Sequence, residues 1–207
     1  LNKPLSDWGN YYYVSHFLLN GTFGKDIYEP YKFNIMVREA GETDIFLNYT
    51  PIPPFTSLFY IPFQLTGTLP AKIIFCFVSV LVFGFSFFRF TKYLGINSYW
   101  LITVPFILFF PMRNNVFFGQ TYLLVIAALM EGYIAYKKDK KITAAFLWSL
   151  AILLKLFPGI VLLFLLFKKD YKQLGITAGF IVIISVITAA ITGFALNAEY
   201  FTQIMPR

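Results

Sequence analysis

Residues 142–172 read ITAAFLWSLAILLKLFPGIVLLFLLFKKDYK. The apolar run Ile142–Phe167 is interrupted only by Lys155 and by Pro158-Gly159. About 20 residues span a bilayer, so the run is either one long tilted helix or two short helices turned at Leu156-Phe157-Pro158-Gly159. Proline removes a backbone donor and glycine loosens the helix, which favours the pair. The flanking charges favour it as well. Lys137-Lys138-Asp139-Lys140-Lys141 precedes the run and Lys168-Lys169-Asp170-Tyr171-Lys172 follows it. Cytoplasmic loops retain Lys and Arg during insertion. Two short helices put both clusters, together with Arg89 and Lys92, on one side, the cytoplasm; a single helix would put the two clusters on opposite faces.

Outward from this stretch the same pattern repeats. Further apolar runs cover Ala71–Phe90, Tyr99–Met112, Val116–Tyr136 and Leu174–Ala195. With 58% apolar residues, 21% aromatic residues and a mean hydropathy of +0.67, the chain exceeds what a water-soluble domain of this length carries. The net charge of +7 sits in short clusters between apolar runs, not on one polar face, which excludes a nucleic-acid partner. The single cysteine, Cys76, excludes an intramolecular disulfide and a Cys-based metal site. The fold class is therefore an all-α polytopic membrane protein, a helical bundle over residues 55–207 behind a non-cytoplasmic first loop, residues 1–54. Two short helices are expected in that loop, Ser6 to Leu19, capped by Ser6 or Asp7, and Tyr31 to Glu39. The prolines of NYTPIPPFTSLFYIPF, from Asn48, force an extended approach to the bilayer before a short apolar helix begins at Pro54, as a membrane-surface or re-entrant element. Leu1 stands in a polar stretch with no leader, and an upstream helix is needed to bring it outside. The chain reads as a fragment of a longer protein.

With basic residues expected inside, those on the outer side become informative: Arg113 in PMRNN and Lys155, together with Gln120 in FFGQ. A lysine toward the middle of a helix costs about 2.5 to 3.5 kcal/mol on insertion scales, so Lys155 faces a partner or a wet cavity unless it snorkels to the interface. Arg113 is read as a loop arginine. Together the two cations suit an anionic head group such as phosphate. Among the carboxylates of the first loop, Asp7 alone opens an aromatic-rich helix, as catalytic carboxylate or as helix cap. Glu131 reads as interfacial and His16 as an ordinary loop histidine. Gly175-Ile176-Thr177-Ala178-Gly179 reads as a small-residue helix contact. No metalloprotease, P-loop or dinucleotide motif is present.

The order of features resembles the membrane glycosyltransferases of the GT-C class, in particular the family 87 type that includes polyprenol-phosphate-mannose-dependent mannosyltransferases. SDWGNYYYVSHFLLNG is similar to that family's early Asp before a Tyr-rich helix, with Asp7 in the place of the Asp. NYTPIPPFTSLFYIPFQLTGTLP resembles its Tyr-Pro-Pro element, through Tyr49. RNNVFFGQTYLLVIAALMEG resembles its Arg-x-Asn and Gly-Gln segment, through Arg113, Asn115, Gly119 and Gln120. TAAFLWSLAILLKLFPG and the basic turn beyond it resemble its helix ending in Lys and Pro, through Lys155 and Pro158. The resemblance implies a GT-C-like bundle and a polyprenyl-phosphate donor of mannose or another hexose, with no nucleotide sugar. It also implies a glycan or glycolipid acceptor and a site on the outer face of a bacterial inner membrane. Asp7 would be the catalytic residue, and Arg113, Asn115, Gln120, Lys155 and Tyr49 would bind substrate.

The residues and the resemblance converge on one mechanism. Asp7 takes the proton of an acceptor hydroxyl as that oxygen attacks the anomeric carbon, and Arg113 and Lys155 hold the departing polyprenyl phosphate, with inversion. No cofactor is required, since the two cations offset the phosphate charge; a divalent metal is left open. A transporter or flippase using Arg113 and Lys155 as an anion path is the competing class, but no internal repeat of the kind transporters show is visible. A purely structural subunit would leave Lys155 without a purpose. The orientation is tested by cysteine labelling: an introduced cysteine between residues 20 and 45 labels from the non-cytoplasmic side and one in the Lys137–Lys141 loop does not. Labelling of both from one side would overturn it.

Overall fold

A computed structural model describes residues 5–43, 45–50, 52–96, 103, 107 and 109–206, and among these the chain is helical with no strand. It is an all-α membrane protein. Two helices, α4 (Thr68–Tyr93) and α9 (Tyr171–Thr192), are long and apolar enough to cross a membrane. Only 22% and 17% of their most apolar windows are buried, so their Phe, Val and Ile side chains need lipid as solvent. A third candidate is the pair α5 (Phe109–Phe118) and α6 (Tyr122–Lys137), bent by 119° at the break between them. The described residues form two compact units. The first comprises residues 1–75, 118–120 and 185–207; the second comprises 76–117 and 121–184.

In the first unit, α1 (Ser6–Leu19) and α2 (Pro30–Glu39) fall where the sequence placed them. Pro30 opens α2, where its missing N–H costs nothing. The expected cap on α1 is corrected: the N-cap is Leu5, already helical at φ −91° and ψ −39°, so Ser6 and Asp7 lie inside the first turn. His16 is likewise in the last turn of α1, not in a loop, and bonds Asn20 at 2.8 Å. Beyond the prolines, α3 (Phe55–Phe59) and a 3₁₀ turn (Ile61–Leu65) pack on α1. Trp8, Tyr11, Tyr60 and Phe75 form an aromatic core, with Tyr11 stacked on Tyr60 at 4.9 Å and Trp8 tilted on Phe75 at 5.1 Å. Such pairs add about 0.5–1.5 kcal/mol each beyond area burial. The polar loop is fastened by Asn34, whose Nδ2 donates to the Leu47 carbonyl at 2.7 Å while its Oδ1 accepts the Leu47 N–H at 2.8 Å. The unit also includes α10 (Phe194–Glu199) and a π-helical turn (Tyr200–Ile204).

In the second unit the long apolar run divides as its Pro-Gly step requires. Helix α7 (Lys141–Leu154) ends before Lys155, a 3₁₀ turn covers Phe157–Gly159, and α8 (Ile160–Phe167) follows. Pro158 has no N–H for the Leu154 carbonyl and its ring would crowd it, so helical bonding stops there. Lys155 thus opens the corner that the Pro-Gly step predicts over Lys155–Gly159, with an extended backbone at φ −149° and ψ 134°. Arg113 is corrected: it lies within α5, not in a loop, because the break falls later, at Gly119-Gln120. Most of the run Tyr99–Met112 lies outside the described residues.

Helices α6 and α7 make the closest pair, built around Trp148 with Ala135, Ala144 and Leu165. One turn before Ala135 on α6, Glu131 pairs with Arg89 at 3.3 Å. Asp170 caps α9 by accepting the Gln173 N–H at 3.1 Å. That bond first, and the Tyr136 hydroxyl second, hold its carboxyl below the ordinary carboxylate range. The small-residue contact expected at Gly175 and Gly179 is corrected too, since a Cβ at either would meet open space among the described residues. The tight glycine of this unit is Gly132, where a Cβ would collide with Trp148 Nε1. Gly132→Ala is expected to cost about 1–3 kcal/mol through overpacking, outweighing the ~1 kcal/mol gained in helix propensity. The check is the unfolding midpoint in detergent, and a raised midpoint would contradict the packing.

Candidate active site

In the first unit the structure brings together two of the residues singled out from the sequence. Gln120 Nε2 donates to Asp7 Oδ2, closing a contact across most of the chain. The bond is made possible by the residue before it. Gly119 has φ +67°, a left-handed backbone that ends α5, and a Cβ there would lie 2.8 Å from the Trp8 Cβ. Only glycine meets both demands, the dihedral and the close approach. Trp8 is fully buried and donates its indole N–H to the Thr68 carbonyl at 2.9 Å, so the start of α4 holds the ring against which Gly119 rests. Asp7 thus carries one oxygen fixed by an amide, while Oδ1 takes no bond from any described residue. An ionised carboxylate with one oxygen oriented and the other available can accept a proton from a hydroxyl.

Lys72 belongs to the same neighbourhood and was missed from the sequence. It is 9% exposed near the start of α4, and its Cε is 3.4 Å from where a Gly119 Cβ would be. In the sequence it stands at the edge of an apolar run, where a lysine is normally interfacial, and nothing local shows that Trp8 and Gly119 cover it. Tyr13, on α1, is pushed up to about 12 by burial, with its hydroxyl between Thr68 and Glu42. It remains a neutral donor and acceptor at physiological pH.

Tyr49 also lies in the first unit, but it is wholly buried and its hydroxyl donates to the Pro53 carbonyl at 3.0 Å. Its ring packs with Tyr28 at 5.3 Å and Phe33 at 6.4 Å. Burial raises its phenol well above the ordinary value. The side chain shapes the Pro-rich segment from within.

The second unit holds Arg113, Asn115 and Lys155, and it separates the first of these from the other two. Asn115 lines a cavity of about 400 Å³ whose walls are Phe83, Phe87, Met112, Tyr122 and Met130 among other apolar side chains. It is 5% exposed, and its Nδ2 has no hydrogen-bond partner among the described residues. A buried, unpaired amide donor costs about 1–3 kcal/mol, so an acceptor entering this cavity would be bound by it. Tyr122 forms another wall, and Lys155 Nζ lies over its ring, 5.1 Å from the centroid. The corner after α7 therefore places the Lys155 ammonium beside the wall of the Asn115 cavity. Arg113, two residues before Asn115, points elsewhere: it is exposed and lines an open groove with Phe109, Val116 and Phe117.

No curated protein and no solved structure matches the chain. A family model does: that of glycosyltransferase family 87 matches residues 49–207. The matched segment takes in the Pro-rich turn, the Gly119-Gln120 break and the Lys155 corner, so more than half of the chain is covered and it belongs to glycosyltransferase family 87.

Proposed function

We propose that this glycosyltransferase moves a hexose, mannose or a close relative, from a polyprenyl-phosphate donor to a hydroxyl of a glycan or glycolipid acceptor, with inversion. The observation that carries the lipid-linked donor is the Asn115 cavity: its walls are almost wholly apolar, its buried amide donor is unpaired among the described residues, and a lysine lies over the ring of Tyr122 in its wall. An isoprenoid chain ending in a phosphate has that sequence of chemistries, and a nucleotide sugar does not. The clustering of lysines between α6 and α7 and between α8 and α9 supports a site on the non-cytoplasmic face, in a bacterial inner membrane.

Asp7 is the general base in this mechanism. It takes the acceptor proton on Oδ1 while Gln120 holds Oδ2, and the acceptor oxygen forms its bond to the anomeric carbon as the bond from that carbon to the phosphate oxygen breaks. The electron pair leaves on the polyprenyl phosphate. Lys155 offsets its charge, and Asn115 donates to an oxygen of the lipid head; Arg113, on the separate groove, is given no part in this step. Tyr49 contributes by shaping the Pro-rich turn. These steps do not in themselves require a metal, and a divalent ion is left open.

The direct test supplies the full-length protein in membranes with a polyprenyl-phosphate hexose or with the nucleotide sugar. Transfer is expected from the first; transfer from the nucleotide sugar without any lipid carrier would overturn the proposal. Asp7→Asn keeps the size, and its amide oxygen still accepts from Gln120, so folding is expected to survive while the initial rate falls by about 10²- to 10⁴-fold. A near-normal rate at matched protein level and intact donor binding would remove Asp7 from the chemistry. Lys155→Met keeps the stem over Tyr122 and loses the charge. It is expected to raise the donor concentration needed for half-maximal rate by about tenfold or more, and an unchanged value would leave the lysine as a snorkelling residue.

A further inference from the structure

The second unit contains a cationic cleft that the glycosyl-transfer mechanism does not use. Lys140 and Lys141 stand where α7 begins and Lys172 in the first turn of α9; with Ile142, Thr143 and Ile176 they line a cleft of about 600 Å³. Its walls are fastened to each other. Gln173, fully buried, donates Nε2 to the Lys141 carbonyl at 3.0 Å, and Ser149 Oγ donates to the Thr177 carbonyl at 3.0 Å. The carboxylate at the rim is Asp139, 3.7 Å from Lys141 and 86% exposed, so the lysines outweigh it. Asp170, near Lys141, is engaged by the Gln173 N–H and by the Tyr136 hydroxyl.

Beyond the lysines the surface turns apolar and smooth. Lys172, Gly175, Ile176 and Gly179 recur at helical spacing on one face of α9. The two glycines have open space in front of them, and Ile142 is 69% exposed. A cationic mouth above an apolar track, on a helix that crosses the membrane, fits one molecule with both chemistries: a phosphate joined to an acyl chain. Lysine clusters of this kind attract anionic head groups, and the N-terminus of α7 adds its exposed amides.

We propose that this cleft binds an anionic phospholipid, with its phosphate on Lys140, Lys141 and Lys172 and an acyl chain along Ile142, Ile176 and the open Gly175/Gly179 face. The site does not depend on which sugar is transferred or on Asp7.

The experiment is native mass spectrometry of the full-length protein released from nanodiscs, counting retained phosphatidylglycerol against phosphatidylcholine. Wild type is expected to prefer phosphatidylglycerol by about tenfold. The triple variant Lys140→Gln, Lys141→Gln, Lys172→Gln is expected to lose that preference. A second triple variant, Lys137→Gln, Lys138→Gln, Lys169→Gln, removes the same charge from lysines that do not line the cleft, and is expected to keep it. Equal loss in both variants would show a diffuse effect of charge and overturn the site, as would absence of preference in wild type. Gly175→Leu fills the track and is expected to reduce phosphatidylglycerol retention with the lysines intact. Unchanged retention, or a change in oligomeric state in its place, would overturn the acyl-chain assignment. Displacement of the lipid by millimolar inorganic phosphate, with glycerophosphate competing as well as phosphatidylglycerol, would show a free-phosphate site and overturn the lipid.

Discussion

Gly119 rests against the Trp8 side chain with a left-handed backbone, and no residue with a Cβ can take both its dihedral and its position. Much follows from that one approach. It ends α5, directs Gln120 onto Asp7 and lets α6 begin in a new direction, bent by 119°. A straight helix through this segment would carry Gln120 away from Asp7. The partner surface must be as well fixed as the glycine, and it is, because Trp8 is pinned by Thr68 and packed among Tyr60, Phe63 and Phe75. The aromatic content that first looks like a general membrane signature thus has a local use, as a rigid wall behind the Asp7 carboxylate.

Breaks in apolar helices carry a cost that explains why they coincide with polar residues. Helix ends leave carbonyls and amides without partners, and lipid supplies none, so a break is stable only where protein or water takes them up. At the corner after α7, Lys155 bonds its own N–H back to Ala151 at 3.1 Å, and its ammonium lies over the Tyr122 ring. At the other break, Gln120 spends its amide on Asp7. Asn115 differs, for its Nδ2 is buried with nothing among the described residues to donate to. In an apolar cavity such an orphan is a standing expense, which makes sense where a ligand supplies the acceptor.

Elements governed by local rules were legible in the sequence. The bounds of α1 and α2 and the Pro158 corner follow from side-chain periodicity and from an amide nitrogen that proline lacks. What escaped was set by distant contacts. The reading of Asp7 as a cap failed because Leu5 is already helical, and the carboxylate's partner lies near the middle of the chain. Arg113 looked like a loop residue because the apolar run pauses there, but the helix continues to the later glycine. Lys72 looked interfacial because its cover comes from α1 and from Gly119, neither of them near it in sequence. Gly175 and Gly179 have the spacing of a helix contact, yet spacing cannot say whether a helix is there to be met.

The two units satisfy opposite solvents, and their polar groups follow accordingly. In the first, Trp8, Tyr11, Tyr49 and Tyr60 are turned inward and the loop between α2 and α3 is held by paired amide bonds such as that of Asn34 with Leu47, as in a water-facing domain. In the second, many large apolar side chains are turned outward along α8 and α9, and beside the buried Trp148 and Leu165 the positions Ala144, Ala145, Ser149 and Thr177 are small enough to let backbones approach. Each environment suits one half of the transfer proposed above, from a lipid-linked sugar to a hydroxyl. A proton must leave a hydroxyl where hydrophilic acceptors can arrive, which requires an oriented carboxylate in a polar, water-facing unit. A prenyl chain must be held where water is excluded, which requires an apolar cavity with a single directed donor. Asp7 under Gln120 meets the first requirement and Asn115 beside Tyr122 meets the second, so the residue types present in each unit are those its own solvent permits.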